Sequence, residues 1–333
     1  MKIALLLVAA ALVAPSAAAL VLAPALPQEG PDVPTTTAPI ATVTVLDHEN
    51  YSFTAGWRGR AIDVPQAPFD RVVLTWHQAP DRDPWDRTFA ASVAGVEVLR
   101  GTTPRAEFNV TKDVTRYSAL FPRGGQTMVE GYADSWVGGA GQIVTLTISF
   151  YRDAATSALV APAAKQVVGV DRFQPMCIGT SAPPVDVTFA HGKPHDATVE
   201  FYLSGHGDQE FWWLFPESPP TFTLLVDGQA IATAVAQPAS YAFVGTGQAD
   251  GTQSGTDEAI ASAAWWTAPQ ALDVVGVHTG VGELPAYVAH VPPDALPLLR
   301  GGPHAAQLVL ADDALGSASG SCVWYASAAI LTD

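Results

Sequence analysis

Apolar and polar residues alternate along much of the chain beyond its first forty residues. Two of the clearest runs are 72–76, Val-Val-Leu-Thr-Trp, and 143–150, Ile-Val-Thr-Leu-Thr-Ile-Ser-Phe. A period of two is typical of β-strands with one buried face. Helical periodicity is not sustained over 15 residues anywhere after the first forty, and the Ala-rich stretch 154–164 is interrupted by Pro162. The pattern predicts an all-β chain of antiparallel jelly-roll or sandwich type.

The first forty residues have a different character. Residues 1–19 combine a basic start at Lys2, an apolar run and the small residues Ala17 to Ala19, which together predict a secretory signal peptide. A membrane helix would need an apolar run of about 20 residues, and Pro15 interrupts this one. Residues 20–39 are rich in Pro, Thr and Ala and predict a flexible leader. We therefore expect a secreted or periplasmic protein.

The remaining roughly 290 residues exceed one ordinary hydrophobic core. Alternation is weak between residues 152 and 184, where small residues and prolines are frequent. We predict an N-terminal jelly-roll domain over residues 40–155, a linker and connecting segment over 156–184, and a C-terminal jelly-roll domain over 185–333. The two antiparallel domains are expected to pack side by side.

The two cysteines lie at the opening and near the end of the second half. An exported chain meets an oxidising compartment, so we expect Cys177 and Cys322 to form a disulfide. Closing so long a loop is worth about 4 to 5 kcal/mol in the chain-entropy estimate, before strain is deducted. The alternative is a pair of buried free thiols.

The charge balance excludes some partners. The 16 Lys and Arg face 32 Asp and Glu, a formal net charge of −16. This charge opposes binding to nucleic acid and to anionic lipid, so neither nucleic acid nor membrane is expected as a partner after signal cleavage. We expect the mature chain to be a monomer.

Motifs for cofactors are missing from the sequence. It has no phosphate-binding loop, no dinucleotide fingerprint and no Gly-x-Ser-x-Gly elbow. His191 and His195 have a metal-like spacing, but the intervening glycine and proline oppose a helix that would align the rings. A copper monooxygenase needs clustered His and Met ligands, and only Met128 and Met176 remain after signal removal. We expect neither a metal nor another cofactor.

Three acids beside tryptophans are the candidate catalytic residues. Asp86 lies between Trp85 and Arg87, Glu210 precedes Phe-Trp-Trp, and Asp134 precedes Ser-Trp. Indole raises the pKa of a nearby acid by desolvation and stacks on sugar rings, so acid with aromatic predicts a carbohydrate site. A structural ion pair between Asp86 and Arg87 is the alternative interpretation.

Four short motifs, in the same order, resemble those of the peptide:N-glycosidases, the peptide-N4-(N-acetyl-β-glucosaminyl)asparagine amidases. Residues 84–87 resemble the Glu-Trp-Asp-Arg segment of the bacterial F type, and 133–136 resemble its Thr-Glu-Thr-Trp. Residues 204–213 resemble Ser-Gly-Trp-Gly-His of the F type and His-x-Asn-Asp-Glu-Phe-Trp-Tyr of the fungal and plant A type. Residues 95–103 are similar to the A-type run Gly-x-x-Glu-Val-Trp-Arg-x-Ser-Thr.

The resemblance implies two jelly rolls with a cleft between them, and hydrolysis of the amide that joins N-acetylglucosamine to asparagine in N-glycosylated peptides or proteins. It implies that Asp86 activates water, that Glu210 binds the first sugar and polarises the amide, and that Asp134 acts through a bridging water. The implied substrate-binding residues are Trp85, Arg87, Trp136, His206 and Trp212.

Two positions depart from the F type. Asp134 stands where that type has glutamate, and residues 262–266 lack its second-domain arginine. A secreted lectin-like jelly-roll pair, which would bind glycan without cleaving it, is the alternative function, because aromatic residues alone do not separate binding from catalysis.

Overall fold

The computed structural model of the protein describes residues 38–52, 55–81, 87–102, 107–135, 138–152, 163–177, 179–190, 192–205, 221–235, 282–283, 286–311 and 324–333. Within these ranges lie seventeen strands in four sheets whose neighbouring strands are all antiparallel, together with two short 3₁₀ helices, Thr115–Leu120 and Leu296–Leu299. None of the helical segments in the described ranges has the length and apolar character of a membrane span.

Two sheets form the N-terminal domain. Sheet 1 contains, in spatial order, β1 (Ala41–Ser52), β8 (Gly141–Tyr151), β3 (Arg71–Asp81) and β6 (Phe108–Asp113). Sheet 2 contains β14 (Gly282–Glu283), β5 (Val96–Thr102), β4 (Thr88–Val93), β7 (Gln126–Asp134) and β2 (Ala55–Asp63). The short strand β14 comes from the second half of the chain and pairs with β5.

Two further sheets form the C-terminal domain. Sheet 3 contains β15 (Tyr287–His290), β11 (Ala197–Gly205), β17 (Trp324–Thr332) and β9 (Gln166–Met176). Sheet 4 contains β10 (Val185–Phe189), β16 (Gly302–Leu310), β12 (Thr221–Val226) and β13 (Gln229–Val235). The prediction of an all-β, two-domain jelly-roll fold is confirmed.

Alternation explains how each domain closes around its own core. In β8, Val144, Leu146, Ile148 and Phe150 are fully buried, while the intervening threonines are only partly buried. These apolar side chains meet residues of β4, β5 and β7 in one hydrophobic cluster, and residues of sheets 3 and 4 form a second cluster. The four sheets therefore lie as layers in the order 1, 2, 3, 4, with a core between each outer pair.

Strand β9 lies in the stretch 156–184, for which we predicted only a linker and connecting segment. It pairs with β17 along its length, with an irregularity opposite Ala326 to Ala328. Its side chains are partly buried on both faces, so its sequence lacks the alternation that marks the other strands. The stretch thus contributes an edge strand to sheet 3; the exact domain boundaries stay a prediction.

Sheets 2 and 3 face each other and form the interface between the domains. Strand β11 shows this most clearly, because both of its faces are buried. Its odd positions pack in the C-terminal core: Val199, Phe201 and Leu203. Its even positions are polar and contact the N-terminal domain: Thr198, Glu200, Tyr202 and Ser204. A polar stripe buried between two sheets must be hydrogen-bonded, and this requirement fixes how the domains meet.

Candidate active site

Asp134 ends strand β7 on the face of sheet 2 that looks towards sheet 3. Val129 and Ala133 of the same strand belong to the N-terminal core. Glu130 and Tyr132 point the other way, where Glu130 pairs with Arg172 of β9. Because side chains in a strand alternate between faces, Asp134 shares the interface side with these two residues.

The charge of Asp134 acts on tyrosines of both domains. Burial raises the pKa of Tyr132 above its usual range, and the negative charge of Asp134 raises this pKa further. The pKa of Tyr325 in β17 is raised by the same two causes in the same order. The Arg100 guanidinium opposes both shifts. The two phenols therefore stay protonated at physiological pH, as neutral hydrogen-bond donors beside a carboxylate.

Arg87 lies immediately before β4, at the same end of sheet 2 as Asp134. Strands β4 and β7 are antiparallel neighbours, and Phe89 pairs with Ala133. The start of β4 therefore lies beside the end of β7. Arg87 and Asp134 therefore lie at one end of sheet 2, on adjacent strands.

The end of β11, in the C-terminal domain, lies at the same end of the interface. Ser204 and Gly205 are its last residues and pair with Tyr325 and Trp324 of β17. The Nη1 of Arg100 in β5 lies 3.2 Å from the Ser204 hydroxyl oxygen. Since Arg100 itself pairs with Ala90 of β4, strand β11 ends at the same end of the interface as the start of β4.

An aromatic cluster closes the interface next to Asp134. Phe173 of β9 stacks on Tyr325 at 4.4 Å between ring centroids and contacts Tyr132 at 4.3 Å and Trp57 at 6.4 Å. The Arg172 guanidinium covers the Trp57 ring at 4.2 Å. No motif predicts this cluster, because its members come from four strands that meet only in the folded chain.

Several predicted residues lie outside the described residues. These are Trp85, Asp86, Trp136, His206, Glu210, Trp212 and Cys322. Their roles stay predictions, as does the disulfide, of which only Cys177 is described; it follows the last residue of β9, Met176, which pairs with Trp324. Of the predicted site, the structure places Asp134 and Arg87 at one end of the domain interface.

Among the described residues, no group of three or more His, Cys, Asp or Glu side chains is arranged to hold a metal ion. Of the two histidines with metal-like spacing, His191 lies outside the described residues. His195 is 93% exposed and lies 3.5 Å from the carboxylate of Asp333.

Known protein structures share this architecture. PNGF-II superimposes with a TM-score of 0.56 at 13% sequence identity, covering 88% of this chain and 65% of PNGF-II. PNGase F, a glycosylasparaginase from Flavobacterium meningosepticum, superimposes with a TM-score of 0.52 at 14% identity, covering 88% of this chain and 95% of that protein. A crystal structure of a peptide-N(4)-(N-acetyl-β-D-glucosaminyl) asparagine amidase gives 0.52 at 15% identity, with 88% and 96% covered.

These likenesses establish the fold, and this chain spans about two thirds of the length of PNGF-II. No curated protein sequence matches the chain. The family model of peptide N-acetyl-β-D-glucosaminyl asparaginase amidase A matches residues 27–242, which is more than half of the chain and includes all three acidic segments. The chain therefore belongs to the peptide N-acetyl-β-D-glucosaminyl asparaginase amidase A family.

Proposed function

We propose that this protein is a peptide:N-glycosidase-like amidase that releases N-linked glycans from peptides or proteins. The observation that carries the proposal is that three strands begin or end close together at one end of the domain interface. These ends are the start of β4 after Arg87, the end of β7 at Asp134 and the end of β11 at Gly205. Each adjoins one of the three acidic segments in the sequence, which supports a common cleft for acids from both domains.

In the proposed reaction, the Asp86 carboxylate takes a proton from water, and the water oxygen attacks the side-chain carbonyl carbon of the glycosylated asparagine. Glu210 binds the first sugar and polarises the amide. The bond between this carbon and the amide nitrogen then breaks. The nitrogen takes up a proton and leaves as the sugar's glycosylamine, while aspartate remains in the peptide. The glycosylamine afterwards reacts with water to give the free sugar and ammonia.

Asp134 contributes through its charge, which acts on two protonated tyrosines. A carboxylate accepts hydrogen bonds, and the phenols of Tyr132 and Tyr325 donate them. This combination suits a bridging water or a sugar hydroxyl, which both donates and accepts. Arg87, next to Asp86 in the chain, would hold that carboxylate in place.

A glycopeptide assay tests the proposal. The purified mature chain is incubated with an N-glycosylated peptide in water enriched in heavy oxygen, and the products are analysed by mass spectrometry. We expect loss of the glycan and conversion of asparagine to aspartate with one heavy oxygen incorporated. Asp86→Ala and Glu210→Ala should abolish product formation, while Asp186→Asn, at an exposed position of strand β10, should retain it.

Two outcomes would contradict amidase activity. Binding of the glycopeptide without any release by folded protein would support the lectin-like alternative. Release that leaves a sugar residue on asparagine would indicate cleavage within the glycan, and release that leaves unmodified asparagine would indicate cleavage between the sugar and the amide nitrogen. We further propose that the chain is exported and acts as a monomer; the mass of the mature N-terminus from a secreting host and light scattering of the purified protein test these two points.

A further inference from the structure

The interface contains a fully buried ion pair. Both carboxylate oxygens of Glu97 lie 2.6 Å from the guanidinium of Arg100, and neither side chain is more than 1% exposed. Arg100 also donates to the Ser204 hydroxyl at 3.2 Å, the Tyr325 carbonyl at 2.5 Å and the Ser327 hydroxyl at 3.3 Å. All five N–H groups of the arginine are thus used.

The pair belongs to one domain and its other partners to the second. Glu97 and Arg100 lie on β5 of sheet 2, whereas Ser204, the second-last residue of β11, and Tyr325 and Ser327 of β17 lie in sheet 3. The Ser327 hydroxyl closes the network by donating to Glu97 at 2.6 Å. Arg100 therefore ties the end of β11 and the start of β17 to the N-terminal domain.

Burial of such a pair adds little to stability, because desolvating two charges offsets most of their attraction. A planar guanidinium with five directed bonds instead fixes orientation. An apolar pair of the same size would fill the space without fixing the strand ends. The network is therefore suited to fixing the position of these strand ends relative to the N-terminal domain.

Phe173, beside this network, is held in an unfavourable backbone conformation. Its backbone has φ of +58°, a conformation that a bulky residue rarely adopts. Its ring lies 4.7 Å from the Arg100 guanidinium and between the rings of Tyr132 and Tyr325. Such strain persists only where the surroundings over-determine the conformation.

We propose that Arg100, held by Glu97, is a positioning residue for the reaction. It fixes the end of β11 and the start of β17 against the end of β7 that carries Asp134. The inference rests on the proposed amidase function. Catalytic groups from two domains act together only when the domains keep one alignment, and a displacement of about 1 Å can lower the rate roughly 100-fold.

Two variants remove the directed bonds in different ways. Arg100→Lys keeps the charge but has too few donors in the wrong geometry. The double variant Glu97→Leu with Arg100→Met replaces the pair by apolar side chains and should keep the domains folded together. In both we expect kcat to fall roughly 10- to 100-fold, with a smaller change in KM.

The matched control is a second arginine at the interface, away from the strand ends that Arg100 holds. Arg116 pairs with Glu200, which precedes Ser204 by four residues, or about 13 Å along β11. Arg116→Lys also weakens an interdomain ion pair. It should lower the melting temperature less than Arg100→Lys does, because Arg116 is partly exposed, and leave kcat of the folded protein unchanged.

Amide hydrogen exchange gives a readout that does not depend on amidase activity. In both Arg100 variants, exchange should become faster at residues 203–205 and 324–327 and stay unchanged at 197–200. If the wild type lacks amidase activity but this exchange pattern appears, the proposed function fails and the positioning of the strand ends stands. Wild-type exchange in both Arg100 variants, or wild-type kcat in the folded double variant of an active enzyme, would overturn the positioning role.

Discussion

The hydroxyl oxygens of Tyr117 and Tyr202 lie 2.9 Å apart in the buried centre of the domain interface. Tyr117 belongs to the first 3₁₀ helix and Tyr202 to β11, so this contact joins the two domains. Tyr117 also donates to the buried carboxylate of Glu200, and Tyr202 donates to the Val98 carbonyl at 2.9 Å. Burial, chiefly, and the Glu200 charge hold the pKa of Tyr117 well above its usual range, so its proton stays in place.

We predict that Tyr117→Phe lowers the free energy of unfolding by about 1 to 3 kcal/mol, because Glu200 loses a donor where water does not replace it. Urea denaturation measures the change. Tyr151→Phe is the control, since Tyr151 lies at the end of β8 outside this network, and it should change stability by less than about 0.5 kcal/mol. Equal effects of the two substitutions would contradict this account of the interface.

Substitutions of Asp134 test both the charge and the length of its side chain. We predict that Asp134→Asn lowers kcat roughly 10- to 100-fold, because the amide no longer supplies an anionic acceptor beside the phenols. Asp134→Glu keeps the charge and restores the residue type of the F type, so it should retain more activity than the asparagine variant. Steady-state kinetics on one glycopeptide would show the order. An asparagine variant as active as the wild type would remove Asp134 from the site.

Asp171 in β9 has a buried Oδ2 atom without a hydrogen bond and a backbone φ of +56°. Burial raises the pKa of its carboxyl above the ordinary value of 3.8. Because the folded pKa is the higher one, ionisation destabilises the fold as pH rises past the unfolded pKa, and the full penalty applies above the folded pKa.

We therefore predict that Asp171→Asn raises the melting temperature at pH 7. Part of the gain should disappear near pH 3, where the aspartate is protonated in both states. Asparagine tolerates the left-handed backbone, and that contribution does not depend on pH. Thermal unfolding at the two pH values measures both parts, with the exposed Asp186→Asn as the control. A gain that is the same at both pH values would show that the charge is unimportant.

His304 bonds to two acceptors at once. Its Nδ1 lies 2.7 Å from Asp227 and its Nε2 2.9 Å from the Arg300 carbonyl. The hydrogen bond to Asp227 is the main cause that raises the imidazole pKa above its usual 6.5. The resulting stability is fully present below the unfolded pKa and is lost as pH rises through the folded pKa.

We predict that the His304 ring titrates above pH 6.5 in nuclear magnetic resonance spectra, and that Asp227→Asn moves its midpoint down. The stability difference between wild type and variant should be larger at pH 5.5 than at pH 8.5. A midpoint that stays where it was in the variant would show that Asp227 does not control the ring.

The sequence alone determined the strands whose faces differ in environment. The alternation of β8 follows from one face in the core and one nearer solvent, and this local pattern survives in any tertiary arrangement. Short acidic and aromatic motifs in a fixed order likewise indicated the family, whose model matches residues 27–242. These features depend only on residues that are neighbours in the chain, so they can be predicted from the sequence.

Only the tertiary structure decided what covers the polar face of β11 and why β9 is a strand. Arg100 and Ser204 are 104 residues apart in sequence, and Arg100 and Tyr325 are 225 apart. Alternation shows that two faces differ, but a buried polar stripe has the same sequence pattern as an exposed one. The interface, the aromatic cluster beside Asp134 and the network of Arg100 therefore arise when the second domain packs on the first, since each polar group buried there needs a partner from the other domain.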